Sequence, residues 1–115
     1  MKQSINPHVS VKYEVGAIIF DSWGYEQTNI DYYCIIERKG QWLTLLPMKA
    51  NSIAEAPKSM TTQETPLEID YSQKPIRKKL KIFNGEESGF TFRDYAGGGW
   101  CRLWDGKTKV ASHYA

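Results

Sequence analysis

Along the chain, apolar and polar residues alternate with a period of two, and no segment sustains the 3.6-residue period of an amphipathic helix. The pattern predicts strands almost throughout. Val15 to Phe20 is a continuous apolar run suited to a strand buried on both faces, with Gly16 near its start marking a bend or a close backbone approach. The run is expected to end at Asp21-Ser22-Trp23-Gly24. From Asn29 to Glu37, strict alternation places Ile30, Tyr32, Cys34 and Ile36 on one face, the expected core face, and Asp31, Tyr33, Ile35 and Glu37 on the other. Arg38-Lys39-Gly40-Gln41 then predicts a hairpin turn of about four residues into a strand from Trp42 to Met48. Pro47, late in that strand, predicts an edge or a terminus.

Between Lys49 and Ser72 the pattern dissolves. Ser52-Ile53-Ala54-Glu55 has the spacing of a helix capping box, which predicts at most one short helical turn because Pro57 follows it closely. The Thr-, Pro- and Ser-containing stretch from Ser59 to Ser72 reads as a long connection holding one short strand at most. Alternation resumes from Ile76 to Phe83. It continues beyond the turn Asn84 to Gly89 with Phe90 to Tyr95, and ends in two short runs, Trp100 to Trp104 and Thr108 to Tyr114. Asp105-Gly106 between those last runs predicts a type I′ hairpin, because both residues tolerate positive φ. The predicted fold is mainly β with little helix: a small antiparallel β-barrel of the SH3-like kind, built from about six or seven short strands, with a sandwich as the alternative.

Length agrees with a single domain over 1–115, with 1–12 as a candidate flexible lead-in and 49–72 as the long connection. A chain of 115 residues buries roughly 65% of its unfolded surface, and four Trp, seven Tyr and four Phe can fill a core without metal or disulfide staples. Two cysteines, Cys34 and Cys101, are too few for a secreted disulfide framework, and both lie in strand-like apolar runs where a thiol acts as a small hydrophobe. A reducing, cytoplasmic setting is expected. The N-terminus has no signal-peptide pattern, and the longest apolar run is far below the ~18 residues needed to span a bilayer. No membrane insertion is expected.

The net charge of +2 is unevenly placed. Residues 1–57 carry a balance of −1 and residues 58–115 a balance of +3, the excess lying in Lys74-Pro75-Ile76-Arg77-Lys78-Lys79-Leu80-Lys81. Extended, this stretch would project Arg77, Lys79 and Lys81 from one face about 6.6 Å apart, a repeat that can follow a phosphate backbone. Ile76, Leu80 and Ile82 would lie opposite, with Lys78 on the apolar side, its stem packed and its ammonium reaching out. The competing reading is a solvated edge protected by lysine against strand-to-strand aggregation.

A second candidate site is the loop Ser22-Trp23-Gly24-Tyr25-Glu26-Gln27-Thr28-Asn29. Trp23 and Tyr25 offer flat rings for stacking, while Gln27 and Asn29 offer paired donors and acceptors and Ser22 and Thr28 hydroxyls. Packing and turn satisfaction compete with that role. Tyr95-Ala96-Gly97-Gly98-Gly99-Trp100 reads as a glycine-rich hairpin loop, since it lacks the GK[ST] and βαβ context of a phosphate-binding motif. Catalytic signals are sparse. His8 and His113 lie near opposite termini, and there is no Cys/His metal spacing, no HExxH and no nucleophile elbow. Nothing in the spacing favours a Ser22, His113, Asp105 triad or an Asp21 and Glu26 carboxylate pair. No catalytic residue, cofactor or metal is expected.

The run from Val15 to Tyr33, then Lys74-Pro75-Ile76-Arg77-Lys78-Lys79, Leu103-Trp104-Asp105-Gly106-Lys107 and the closing Tyr114-Ala115, resembles a group of small uncharacterised proteins of bacteriophages and other mobile elements. Its SWGYxQTNxxxY and LWDGK segments carry the likeness. The resemblance implies a mobile-element origin in a bacterial host cell and raises the weight of the Ser22 to Asn29 loop as a site; Trp104 and Asp105 join the candidate binding residues. This chain has Ala17 where an acidic residue commonly follows the glycine. A weaker likeness is to the MazF/PemK ribonuclease barrels, which open with a Gly-led apolar strand and a loop containing Glu and Gln, although the Arg-Pro pair expected after that loop is missing.

These features predict a non-enzymatic module binding nucleic acid through the aromatic and amide loop and the basic strand. Two alternatives follow from the resemblances. One is an inhibitor of a host defence protein, an anti-defence or anti-CRISPR-like role with Trp and Tyr as interface anchors. The other is a MazF/PemK-like ribonuclease using Glu26 and Gln27. The partners expected are nucleic acid or a host protein, with homodimerisation through an edge strand as a further option.

Overall fold

A computed structural model describes residues 5–24, 28–54, 61–92 and 100–112. The described residues contain ten strands and no helix. Therefore no helix among them is long and apolar enough to cross a membrane. The strands are β1 (Ile18–Trp23), β2 (Asn29–Lys39), β3 (Trp42–Ala54), β4 (Thr61–Ile69), β5 (Ile76–Lys79), β6 (Ile82–Phe83), β7 (Glu86–Glu87), β8 (Phe90–Thr91), β9 (Trp100–Leu103) and β10 (Lys109–Ser112). Every strand pairing is antiparallel. The main sheet runs β10-β4-β3-β2-β1-β9-β8 with β5 beside β3, and β6 and β7 form a separate small hairpin. The mainly β expectation holds; no pairing among the described residues closes the sheet into a barrel.

β2 is the centre of the fold, and the expectation of one core face is corrected there. Ile30, Tyr32 and Cys34 enter one apolar cluster with Ile18, Phe20, Leu46, Met48 and Ile69. Tyr33 and Ile35, assigned to the outer face, enter a second cluster with Ile19, Leu43, Leu45, Leu80 and Phe90. The reason is position: a central strand covered on both sides reads as apolar on both sides, as strands of buried sheets do. Cys34 and Cys101 are not joined in a disulfide and are buried in different clusters. Burial pushes the Cys34 thiol up to about 11.

β1 does not stop at Phe20. Asp21, Ser22 and Trp23 continue it, opposite Asp31, Ile30 and Asn29. The next hairpin is tighter than expected, since Lys39 pairs with Trp42 around a two-residue turn whose Gly40 has φ of 59°. β3 likewise does not end at Pro47. Its first residues, Trp42–Leu45, pair with β5, and its later ones, from Met48 on, pair with β4. Pro47 falls at the change of partner, where its missing N–H leaves no ladder bond broken while its carbonyl accepts from Asp70 N at 2.9 Å.

Within the long connection predicted over 49–72, residues 49–54 are instead the end of β3 and Thr61–Ile69 is β4, while Glu55 to Met60, Pro57 among them, lie outside the described residues. Ser52 caps no helix; its hydroxyl donates across the sheet to Glu64 Oε1 at 2.7 Å. Cross-strand pairing overrides a local capping signal because it satisfies the backbone of both segments at once. The predicted strand from Ile76 to Phe83 is broken after Lys79. Leu80 N donates to Gln41 O and Lys81 N to Gly89 O, which turns the chain and buries Leu80. Asn84 (φ 51°) and Gly85 (φ 79°) then form the positive-φ turn between β6 and β7.

The Asp105-Gly106 hairpin is also corrected. β9 pairs with β1 and β8, whereas β10 pairs with β4 at the other end of the sheet. Asp105 stabilises a different local structure: its Oδ1 accepts from Lys107 N and from Lys109 Nζ, both at 3.0 Å, an Asx turn carrying the chain across rather than back. The N-terminal segment is anchored through His8, which bridges to Ala17 and whose ring lies against Gly16.

Candidate functional site

Of the predicted loop, Tyr25, Glu26 and Gln27 lie outside the described residues, as do residues 95–99 of the glycine-rich loop and His113. The remaining loop residues are engaged in holding the end of the β1–β2 hairpin. Trp23 Nε1 donates to Asp31 Oδ2 at 2.6 Å, and Asn29 Nδ2 donates to Trp23 O at 3.4 Å. Thr28 N donates to Ser112 Oγ at 2.7 Å while Ser112 N donates to Thr28 O at 2.9 Å, tying the loop to β10. Ser22 is half-buried in β1.

Trp104 and Asp105 sit elsewhere again. The Trp104 ring meets Tyr32 edge-on at 5.9 Å, and its indole N–H donates to Lys107 O at 2.7 Å. The bonds from Lys107 and Lys109 hold the Asp105 carboxyl below its ordinary range. Burial, with Glu64 and Asp105 nearby, raises the Tyr32 phenol, whose hydroxyl donates to Glu64 O at 2.8 Å. Beside this network Arg102 and Lys109 lie over the Phe20 ring, at 5.2 and 4.6 Å from its centroid. These groups partner one another within the fold. Among the described residues no group of three or more His, Cys, Asp or Glu is placed to hold a metal ion.

The basic strand is different, because its cations face outward. Arg77 and Lys79 are exposed on one side of β5, and Lys81 is exposed just beyond it. Lys78 points the other way, with its ammonium 5.1 Å from the Phe92 ring centroid, as alternation requires. Register brings Trp42 opposite Lys79 and Thr44 opposite Arg77. Trp42 is 43% exposed, and the Arg77 guanidinium lies over its ring at 5.0 Å.

Beyond Lys79 opens a groove of about 430 Å³ lined by Lys79, Leu80, Lys81, Ile82 and Phe83. Leu80 is its buried floor, and Phe83, 56% exposed, is an aromatic wall. The Phe83 ring rests against Trp100 at 6.3 Å, and Trp100 donates its indole N–H to Ser88 O. Arg38 fastens the hairpin that carries Phe83. Its guanidinium makes a bidentate pair with Glu87 and also donates to Tyr13 O at 2.7 Å and Gly40 O at 2.8 Å.

The two predicted halves of the site are therefore separate. The loop lies at the Asn29 end of β2 and the basic face beside its Lys39 end, ten residues or about 33 Å of strand apart. The structure brings Arg77 and Lys79 together with Trp42, and Lys79 and Lys81 together with Ile82 and Phe83; Trp42, Ile82 and Phe83 are residues that sequence reasoning left out. Their sequence signal was weak: each flanks a glycine-containing turn, Gly40 or Gly85, but only register shows Trp42 beside Lys79. No family model, no curated protein and no solved structure matches this chain.

Proposed function

We propose that the protein is a small non-enzymatic module that binds nucleic acid on the face formed by Trp42, Arg77, Lys79, Lys81 and Phe83. One observation carries the reading: exposed cations lie beside exposed aromatic rings, Arg77 and Lys79 with Trp42 and Lys79 and Lys81 with Phe83. Cations that track phosphates and rings on which bases stack are the two parts such a surface needs. A mobile-element origin, from the SWGYxQTNxxxY and LWDGK segments, agrees with a nucleic-acid ligand in a bacterial cytoplasm. The two bonds between Thr28 and Ser112 draw β10 toward the β1–β2 end, as in a small, incompletely closed barrel of the SH3-like kind.

Titration of a labelled oligonucleotide at several salt concentrations tests the function. Binding at low salt is expected to weaken with a log–log slope of about −0.7 per phosphate contact on a single strand, or about −0.9 on a duplex. Arg77→Gln, Lys79→Gln and Lys81→Gln should each flatten that slope by one such step. No measurable binding at low salt would sink the reading. Bound RNA should be recovered intact; cleavage abolished by Glu26→Ala would replace the binding module with the ribonuclease alternative.

A second reading, docking onto a host protein, is favoured by a separate apolar patch. Leu67 and Tyr71, each 58% exposed, border a hollow of about 210 Å³ with Ile5, Pro7 and Ile69. Capture of one specific host protein that Leu67→Ser releases would support it, and capture unaffected by that change would count against it.

A further inference from the structure

Resting on the nucleic-acid reading, we propose that the ligand is single-stranded and that one unstacked base enters the groove against Phe83, with its flanking phosphates on Lys79 and Lys81. The groove combines two chemistries within a few ångströms. Leu80, Ile82 and Phe83 give it apolar lining, and Lys79 and Lys81 line it as well. A volume of about 430 Å³ is in the ~300–1,000 Å³ range of sites that take a small molecule. A nucleotide unit supplies a flat π-surface and an anion, one partner for each chemistry. A duplex supplies only the anion, because its bases are stacked and paired inside.

The apolar wall is built to persist without a ligand. Asn84 and Gly85 close the β6–β7 hairpin, Glu87 is clamped by Arg38, and Trp100 braces the Phe83 ring. Charge complementarity favours the same occupant: Lys79 and Lys81 line the groove, Arg77 lies two residues before Lys79, and Glu87 is neutralised by Arg38. Glu86 lies opposite Phe83 on β7 and does not line the groove. Lys79 belongs both to the groove and to the Trp42 face, so a strand leaving the groove meets Arg77 and the Trp42 ring next.

Fluorescence anisotropy of the full chain with labelled dT12, and with a duplex of equal length, tests this. The single strand is expected to bind at least about tenfold more tightly at low salt. Phe83→Ala should weaken dT12 binding by roughly 5- to 150-fold, the loss of one base–aromatic stack, while leaving the salt slope unchanged. Phe83→Trp should retain binding. A strand of abasic sites should lose at least the same factor against the unaltered protein, a measurement that does not depend on a variant folding. Equal affinity for single strand and duplex, with Phe83→Ala silent, would overturn the inference while leaving the nucleic-acid reading standing. Absence of binding to either would remove both.

Discussion

Gly89 joins the small hairpin to β8, and it is where the fold tolerates a side chain least. Its φ is +85°, and a Cβ built on it would lie 2.0 Å from Cys101 O and 3.1 Å from Trp100 Nε1. The next residue, Phe90, pairs with Cys101, and both are buried in the same apolar cluster. Gly89→Ala therefore carries two costs. Positive φ costs an L-residue about 1–2 kcal/mol. Relieving a clash with a backbone carbonyl means moving β8 off β9, an overpacking of the kind that costs about 1–3 kcal/mol. The sum, about 2–5 kcal/mol, is a large part of the ~5–15 kcal/mol that holds a domain together. At about 4 °C per kcal/mol for a chain this size, Tm should fall by roughly 8–20 °C. Gly85→Ala is the internal control, because Gly85 has φ of +79° but open space where its Cβ would go. It should cost about 1–2 kcal/mol, the conformational part alone. Urea and thermal unfolding followed by circular dichroism measure both variants. If Gly89→Ala is no more destabilising than Gly85→Ala, β8 does not approach β9 as described.

Two other predictions concern the anchoring of the periphery. The two ring nitrogens of His8 face Asn6 O at 2.9 Å and Glu14 Oε2 at 3.1 Å, so the imidazolium satisfies both acceptors, and its pKa is raised above 6.5, first by the Asn6 carbonyl and then by Glu14. Glu14 is lowered below 4.5, first by His8 and then by Ser10. The stabilisation from His8 is present below pH 6.5 and lost as pH rises through its folded pKa; that from Glu14 is present above pH 4.5 and lost as pH falls through its folded pKa. The pair is therefore most effective between about pH 4.5 and 6.5. An NMR titration of His8 should show the raised value, and Glu14→Gln should lower it part of the way; an unchanged titration would refute the contact. Arg38→Ala removes a partly exposed bidentate pair and two bonds to backbone carbonyls, a loss of about 1–2 kcal/mol after solvent screening. Hydrogen exchange should quicken in the β6–β7 hairpin before the β2–β3 ladder, and uniform exchange would show that Arg38 does not hold the hairpin.

Much of the architecture was legible because period-two alternation reports strands directly. β1, β2 and β3 follow from their own residues, and Gly40 marks the turn between the last two. What the pattern could not show is coverage. Tyr33 and Ile35 sit between Asp31 and Glu37 and read as an outer face, yet β2 is central and both of its faces are buried. Local turn and cap signals failed for a related reason. Ser52 to Glu55 and Asp105-Gly106 have the chemistry of a cap and a hairpin, but their neighbours pair with distant strands, and non-local pairing decides the outcome. β4 was hidden by its Thr- and Pro-bearing composition, which a strand between β3 and β10 accommodates where only Glu64 and Ile69 are buried. In the candidate site, Arg77 and Lys79 were readable from spacing, whereas Trp42 required the β3–β5 register.

The same topology explains why the basic face is a better candidate than an edge guarded against aggregation. Among the described residues β5 pairs on one side only, and lysine on such a strand needs no further function. Edge protection, however, requires charge and the removal of apolar surface. Here the charge is accompanied by Trp42 at 43% and Phe83 at 56% exposure, and an exposed ring beside an edge raises the risk that the lysines would lower. The rings are also held in place, Trp42 under Arg77 and Phe83 by Trp100 on a hairpin clamped through Arg38. Protection alone accounts for the cations and leaves the rings without a role. A ligand that is both anionic and aromatic accounts for cations, rings and clamp together, and a nucleic-acid strand with a base free to leave the stack has that chemistry.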